Sequence, residues 1–431
     1  MKSMKQTNNG CQEIPDPQKG IVFAMDICKK EIAYRICGLG TSSDLCIVDQ
    51  SMQGLNRIKA EMDDWKRNGY DVWAGYEPTG PYSCKITEYL LDKGYKVVQI
   101  NPKHTSMFND IKENKPGKTD PRDTLGMGGL IWQGCYRSMI NLTGVYADLR
   151  MLSKEWQTLS VDGTKLRNQL HSTIELWYPE LGVVFKDRLC KNARAIMRKY
   201  KTVEEITNAG VKRVKSTLKK AAGGSYADRA ESIVSYAKAS RALSGNQEFR
   251  HQMISNLLDR LELIEKQKSE IMIKMESLLG MLPESGFILS IKGIGIVTTA
   301  TLLGECGNIA DYSVGQLEKI VGLNLHEYSS GQHKGNQHIS KGGREAARYA
   351  LCMVATCMAN RNGIYHDVAE KMRIGGKCFS QIRVAVARKL LRLIRSLAHN
   401  NQSFDLAQFV ARRETVDDPL THQDVPIQKI A

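Results

Sequence analysis

The chain has 431 residues, 42% of them hydrophobic and 25% charged, which excludes a disordered or fibrous protein and leaves room for two or three domains. Its 61 basic residues against 46 acidic ones leave a net charge of +15, a surplus that favours a polyanionic partner, most simply nucleic acid. The eleven cysteines form no CxxC pair and no zinc-finger spacing, no apolar run reaches membrane-spanning length, and the first residues lack the apolar core of a signal peptide, so a cytoplasmic protein with reduced thiols and no membrane partner is expected.

Residues 1–18 are polar and aperiodic and read as a flexible tail. From 19 to 143 the pattern is mixed. "GIVFAMDI" is strand-like, "KKEIAYRICG" is its hairpin partner, and "SDLCIVDQ" is a third strand. A helix over "MQGLNRIKAEMDDWKRNG" follows, then strand "YDVWAGYE", helix "SCKITEYLLDKG" and strand "YKVVQINP". Three strands followed by alternating helices and strands describe an α/β ribonuclease H-like core, a mixed sheet with helices on both faces.

Next comes "NKPGKTDPRDT". Asp120 and Asp123 lie three apart, on one face of a helix that Thr119 can cap, with acids favoured in its first turn. A well-capped surface helix would need nothing more. Lys118 beside them either touches substrate or balances their charge.

Residues 144–280 read as a helical connector. Its last part carries Ile254, Leu257, Leu261, Ile264, Ile271, Met275 and Leu278 in alternating steps of three and four, with Lys268 at one polar seam position. That seam predicts a coiled coil, or a buried stripe against another helix of the same chain. Residues 186–220 are densely basic, which suits phosphate contact or a solvated face.

The last compact unit, 281–400, is mostly α-helical. In "KGIGIVTTA", Gly293 and Gly295 resemble the turn of a helix-hairpin-helix, where glycines let backbone N–H groups approach a DNA phosphate. "YSSGQHKG" holds adjacent serines, and Lys334, Lys341, Arg344 and Arg348 follow. The helix "IRVAVARKLLRLIRSLAHN" buries an apolar stripe and turns Arg388, Arg392 and Arg395 to another face. Residues 401–431 read as a C-terminal tail.

In a ribonuclease H-like sheet the strands carrying Asp26 and Glu77 are neighbours, and a helix starting at Asp120 reaches the same edge. Four converging carboxylates repel unless cations lie between them. Oxygen ligands suit Mg²⁺ or Mn²⁺, and a pair of such ions can clamp the attacking and leaving oxygens of a phosphodiester.

Asp26 in "AMDICK", Glu77 in "YEPTGPY", "QINPKHTSMF" and "KTDPRDT", with "IKGIGIVTTATLLGECGNI" and "SKGGREAARYAL" further on, resemble the DEDD transposases of bacterial insertion sequences, relatives of the Piv invertase. Their N-terminal domain is similar to the RuvC junction resolvase. The resemblance covers residues 20–143 and 281–400. It implies a transposase or site-specific recombinase in which Asp26, Glu77, Asp120 and Asp123 hold divalent metal and a serine attacks DNA covalently. Here that serine falls at Ser330, the one directly before glycine, with Ser329 the alternative. Lys118, Gly293, Gly295, Lys334, Lys341, Arg344 and Arg348 become candidate nucleic-acid contacts. The same resemblance implies DNA partners (element ends and target), a non-coding bridge RNA, dimers or tetramers, and a nucleoid-associated bacterial protein. A metal-dependent RuvC-like junction endonuclease and a Piv-like invertase are the alternatives.

Overall fold

The computed structural model describes residues 13–78, 80–113, 119–138, 144–222, 227–240, 242, 245–326, 329–330, 333–334 and 338–415. Lys118 lies outside them, as do most of the expected tails. For Ser329, Ser330, His333 and Lys334 the backbone alone is described. Contacts divide the chain into two compact units, 1–141 and 142–431.

The first unit is built on a seven-stranded mixed sheet. Strands β1 (Gly20–Ile27), β2 (Glu31–Gly38), β3 (Thr41–Ser42) and β4 (Cys46–Asp49) come first, then α1 (Met52–Arg67), β5 (Asp71–Tyr76), α2 (Cys84–Asp92), β6 (Lys96–Gln99), α3 (Pro102–Glu113), α4 (Asp120–Trp132) and β7 (Arg137–Ser138). The path runs β3-β2-β1-β5-β6-β7, with β4 also on β2. Strands β1, β5 and β6 are parallel and the rest antiparallel, the arrangement of a ribonuclease H-like sheet. The expected tail from Glu13 onward is instead anchored: Lys96 Nζ lies 2.6 Å from the Glu13 carboxylate, and the Tyr136 hydroxyl donates to the Glu13 carbonyl.

Alternation along β1 sorts its side chains between two cores. Ile21, Phe23 and Met25 join Val72, Ala74 and Tyr76 of β5 and Leu55, Ile58 and Met62 of α1. Val22 and Ala24 join Trp73 of β5 and Met127, Leu130 and Ile131 of α4. Period two along a strand forces this division.

The second unit opens with α5 (Val145–Trp177) and continues through α6 (Leu181–Val184), α7 (Lys191–Lys199), α8 (Val203–Ala222), α9 (Ala227–Lys238) and α10 (Gln247–Leu279). Helices α5 and α10, of 33 residues each, pack against one another. The heptad seam is thus filled within the chain: Ile254, Leu257 and Leu261 bury in a core with Leu166, Leu170 and Ile174 of α5 and residues of α7 to α9. Ile271 and Met275 bury in a second core farther along. Lys268, the polar seam position, lays its ammonium over the Trp156 ring, 4.0 Å from the centroid. Burial, with Arg167 nearby, pushes its pKa down.

That second core is completed by α11 (Pro283–Leu289), α12 (Ile296–Cys306), α13 (Val314–Val321), α14 (Glu345–Met358), α15 (His366–Ile374) and α16 (Phe379–Asn400). Short strands β8 (Leu325–His326), β9 (Ser329–Ser330), β10 (His333–Lys334) and β11 (His338–Ile339) sit between α13 and α14. Residues beyond 400 depart from the expected tail. Helix α17 (Leu406–Thr415) follows, and Phe404 and Phe409 pack on this core, with Phe409 edge-on to Tyr365. Among the described residues, no helix is long and apolar enough to cross a membrane.

Candidate active site

The register of the sheet places the first two acids. Strands β1 and β5 pair in parallel as far as Met25 opposite Tyr76, and Asp26 and Glu77 are the residues that follow. Asp26 is the penultimate residue of β1 and Glu77 directly follows β5, on neighbouring strands whose backbones lie about 4.8 Å apart. Met25 and Ile27 face the α1 side, so alternation turns Asp26 between them toward the side covered by α4, while Glu77 directly follows Tyr76, the last residue of β5.

Glycines let α4 lie close to that side. A Cβ on Gly128 would fall 2.6 Å from Cys37 Sγ and 3.8 Å from the Ala24 Cβ, and one on Gly20 would fall 2.7 Å from the Trp132 ring. The C-terminal end of α4 therefore lies over the start of β1 and Gly128 lies over Ala24. From Gly128 to Asp123 is about 7.5 Å of helix, and from Ala24 to Asp26 about 6.6 Å of strand. The N-terminus of α4 points toward the strand ends that carry Asp26 and Glu77.

Asp120 is exposed and Asp123 is buried. Asp123 accepts a hydrogen bond from Asn109 Nδ2 of α3 at 3.0 Å, a partner the sequence pattern did not suggest. Asn109 is itself buried and abuts Gly126. Thr119 occupies the N-cap with extended φ and ψ, but its side chain makes no capping hydrogen bond, contrary to expectation. The helix starts instead with Pro121 in its first turn and two acids at its positive end. Asp26 and Glu77 are half-buried.

Among the described residues no three His, Cys, Asp or Glu side chains are drawn close enough to hold a metal ion. Carboxylate oxygens are the ligands a hard divalent cation takes, but the structure does not gather three of the expected four acids at one point. Asp123 is held on Asn109.

In the second unit Ser330 lies on a β-arm. His338 pairs with His326 and Ile339 with Leu325 at its base, and His333 pairs with Ser330 and Lys334 with Ser329 farther out. The root is clamped. Ser340 N donates to Asn324 O at 2.9 Å, Lys341 N to Gly322 O at 3.3 Å and Arg344 N to Ile320 O at 2.7 Å. Arg348 Nη1 donates to the carbonyls of Val321 at 3.0 Å and Lys341 at 3.3 Å. Gly322 (φ 75°) and Lys341 (φ 53°) both adopt left-handed backbone at this root.

Several arginines expected to meet phosphate have partners inside the protein. Arg344 Nε lies 3.7 Å from Glu305, which also takes Arg150 at 3.3 Å, and burial, with Arg150 beside it, lowers the Arg344 pKa. Arg388 and Arg392, read as a separate basic face, reach Glu318 at 2.9 and 3.1 Å, and Arg395 donates to the Tyr312 carbonyl at 3.0 Å. Lys341 is exposed. Gly293, at φ 102°, and Gly295, the N-cap of α12, are exposed in the turn between α11 and α12.

Comparison with known proteins agrees with both halves. A DEDD transposase family of IS110 type matches residues 25–179, and the transposase IS116/IS110/IS902 family matches residues 286–369. The chain belongs to the DEDD transposases of insertion sequences. It is 20% identical over 390 residues to a 43.6 kDa protein of insertion element IS110 from Streptomyces coelicolor, covering 90% of this chain and 96% of that one. It is also 20% identical over 334 residues to a 44.8 kDa protein of insertion element IS116 from Streptomyces clavuligerus, covering 77% of this chain and 83% of that one. Membership implies an enzyme that cuts and rejoins DNA and suggests dependence on a divalent metal.

Proposed function

We propose that this transposase breaks and rejoins DNA at its element ends and target with Asp26, Glu77, Asp120 and Asp123 as the metal-holding set and Ser330 as nucleophile. The acid set is supported most directly by the parallel pairing of β1 with β5, whose register runs to Met25 and Tyr76, the residues just before Asp26 and Glu77. A bound Mg²⁺ or Mn²⁺ would supply charge neutralisation at the scissile phosphate and a lower pKa for an attacking hydroxyl.

The chain's own residues carry the rest. The Ser330 hydroxyl oxygen bonds to phosphorus, its proton passes to a base, and the deoxyribose oxygen leaves and takes up a proton. The phosphoserine ester keeps the bond energy needed for rejoining, because a second deoxyribose hydroxyl can displace the serine without hydrolysis. The clamped root of the arm, with Arg348 across it, limits where Ser330 can travel. The resemblance adds a structured bridge RNA and dimeric or tetrameric assembly, to be read from one preparation as copurifying nuclease-sensitive RNA and as particle mass.

The test is trapping on labelled element-end DNA in Mg²⁺. The wild-type protein should stay attached after denaturation. Ser330→Ala should lose both attachment and cleavage while Ser329→Ala keeps them, and Asp120→Asn should lose cleavage. A Ser330→Ala protein that still cuts DNA would return the assignment to a junction nuclease using the acids alone.

A further inference from the structure

The stretch 186–220, basic by composition, divides in two once its partners are known. Arg188 pairs with Glu175, Arg194 meets Glu265 at 2.8 Å, and Arg198 meets Glu262 at 3.0 Å. Lys199 donates to Thr217 Oγ1 at 3.0 Å. These cations hold α7 and the segment before it to the α5–α10 pair and to α8. The remaining charge sits elsewhere.

Helix α8 is kinked at Gly210, which has φ 65° and ψ 173°. The acids Glu204 and Glu205 lie before the kink. The segment after it, 211–222, contains Lys212, Arg213, Lys215, Lys219 and Lys220 and no acid. All five are exposed, whereas Val214, Thr217 and Leu218 are buried. At 100° per residue the five cations occupy an arc of about 160°, opposite the buried three. From Lys212 to Lys220 the row is about 12 Å long. Among the described residues, none of the five lies within salt-bridge distance of a carboxylate. A solvated helix face ordinarily mixes both signs.

We propose that the second segment of α8 is a docking surface for the phosphate backbone of double-stranded DNA, apart from the residues that carry the chemistry. The argument is charge complementarity. A convex helix face with five cations and no acid suits a backbone read without base contacts, which positions a duplex and carries no sequence information. Such a surface would hold DNA flanking the cut. The inference rests on DNA being the polymer on which this family acts.

The experiment is fluorescence anisotropy of a labelled duplex of arbitrary sequence with the full-length protein across a series of salt concentrations. Lys212→Gln/Lys215→Gln/Lys219→Gln should flatten the slope of log affinity against log salt by about 2 to 3, near 0.9 for each phosphate no longer neutralised. The corresponding triple Lys→Arg variant should keep the wild-type slope, and circular dichroism should show all forms equally folded. An unchanged slope in the glutamine variant overturns the proposal. So does an equal loss in Lys154→Gln/Lys266→Gln/Lys371→Gln, which removes the same charge from other elements of the unit. A loss seen with a structured RNA hairpin but not with the duplex overturns it in favour of RNA. A wild-type protein that binds no duplex sinks both this surface and the DNA reading, whereas failure of the variant alone leaves the Ser330 trapping result standing.

Discussion

Glu318 is almost enclosed on α13, with Arg388 and Arg392 of α16 on its two oxygens. Removing the carboxylate leaves two partly buried guanidinium groups facing one another, so Glu318→Ala should lower unfolding free energy by about 3 kcal/mol. Urea denaturation measures it, and an unshifted midpoint would show that the triad adds nothing. Glu265 follows the same physics at a more exposed place. Arg194, and Arg167 more weakly, hold its pKa below the usual glutamate value. Its contribution is therefore present above the ordinary glutamate pKa and fades as the pH falls through the depressed one. These partnerships were not legible in the sequence. Arginine spacing along α16 marks a shared face, but Glu318 is 70 residues before Arg388, and only the fold brings it there. The strands that bring Asp26 and Glu77 to neighbouring positions were easier to read, because each is a short apolar run bounded by polar residues.

Helix α4 carries glycines at 126, 128 and 129, residues that weaken an isolated helix. Contacts explain them: Gly126 abuts Asn109, Gly128 abuts Cys37, and Gly129 would bring a Cβ within 2.8 Å of Phe108. Gly128→Val should therefore cost about 1–3 kcal/mol and move α4 away from β1, lowering both the melting temperature and DNA cleavage. Gly163→Ala in α5 should do the opposite. Its new methyl would meet Ile264 at an ordinary 3.5 Å, and gained helix propensity favours it by up to about 1 kcal/mol. Equal melting shifts for the two would refute this account of why the glycines are there. Strands such as β1 and β5 matched their predicted spans within a residue or so because six to eight residues of nearly continuous apolar sequence mark strands buried on both faces. The two-residue strands of the Ser330 arm and β7 carry no period at all, and α3 has a weakly apolar face, so none of them was legible.

At the scale of the whole molecule, each unit has cores of its own, and the two cores of residues 142–431 share α5 and α10. Each helix spans about 50 Å. Opening one core frays helices the other needs, so the isolated 142–431 segment should melt in a single calorimetric transition. Ser269→Pro, at an exposed mid-helix position, should cost about 3 kcal/mol and separate the trace into two; two transitions in the unaltered segment would show the cores to be independent. Sequence alone left open whether the leucine seam met a helix within the chain or another subunit, since the pattern is the same for both. The antiparallel return that decides it is a property of topology. That return has an evolutionary corollary. The described residues between Gly163 and Ile264, which face one another, hang from one end of a two-rod stem, so a shortened descendant joined by a tight turn there could lose the basic tip and keep every residue proposed for the chemistry.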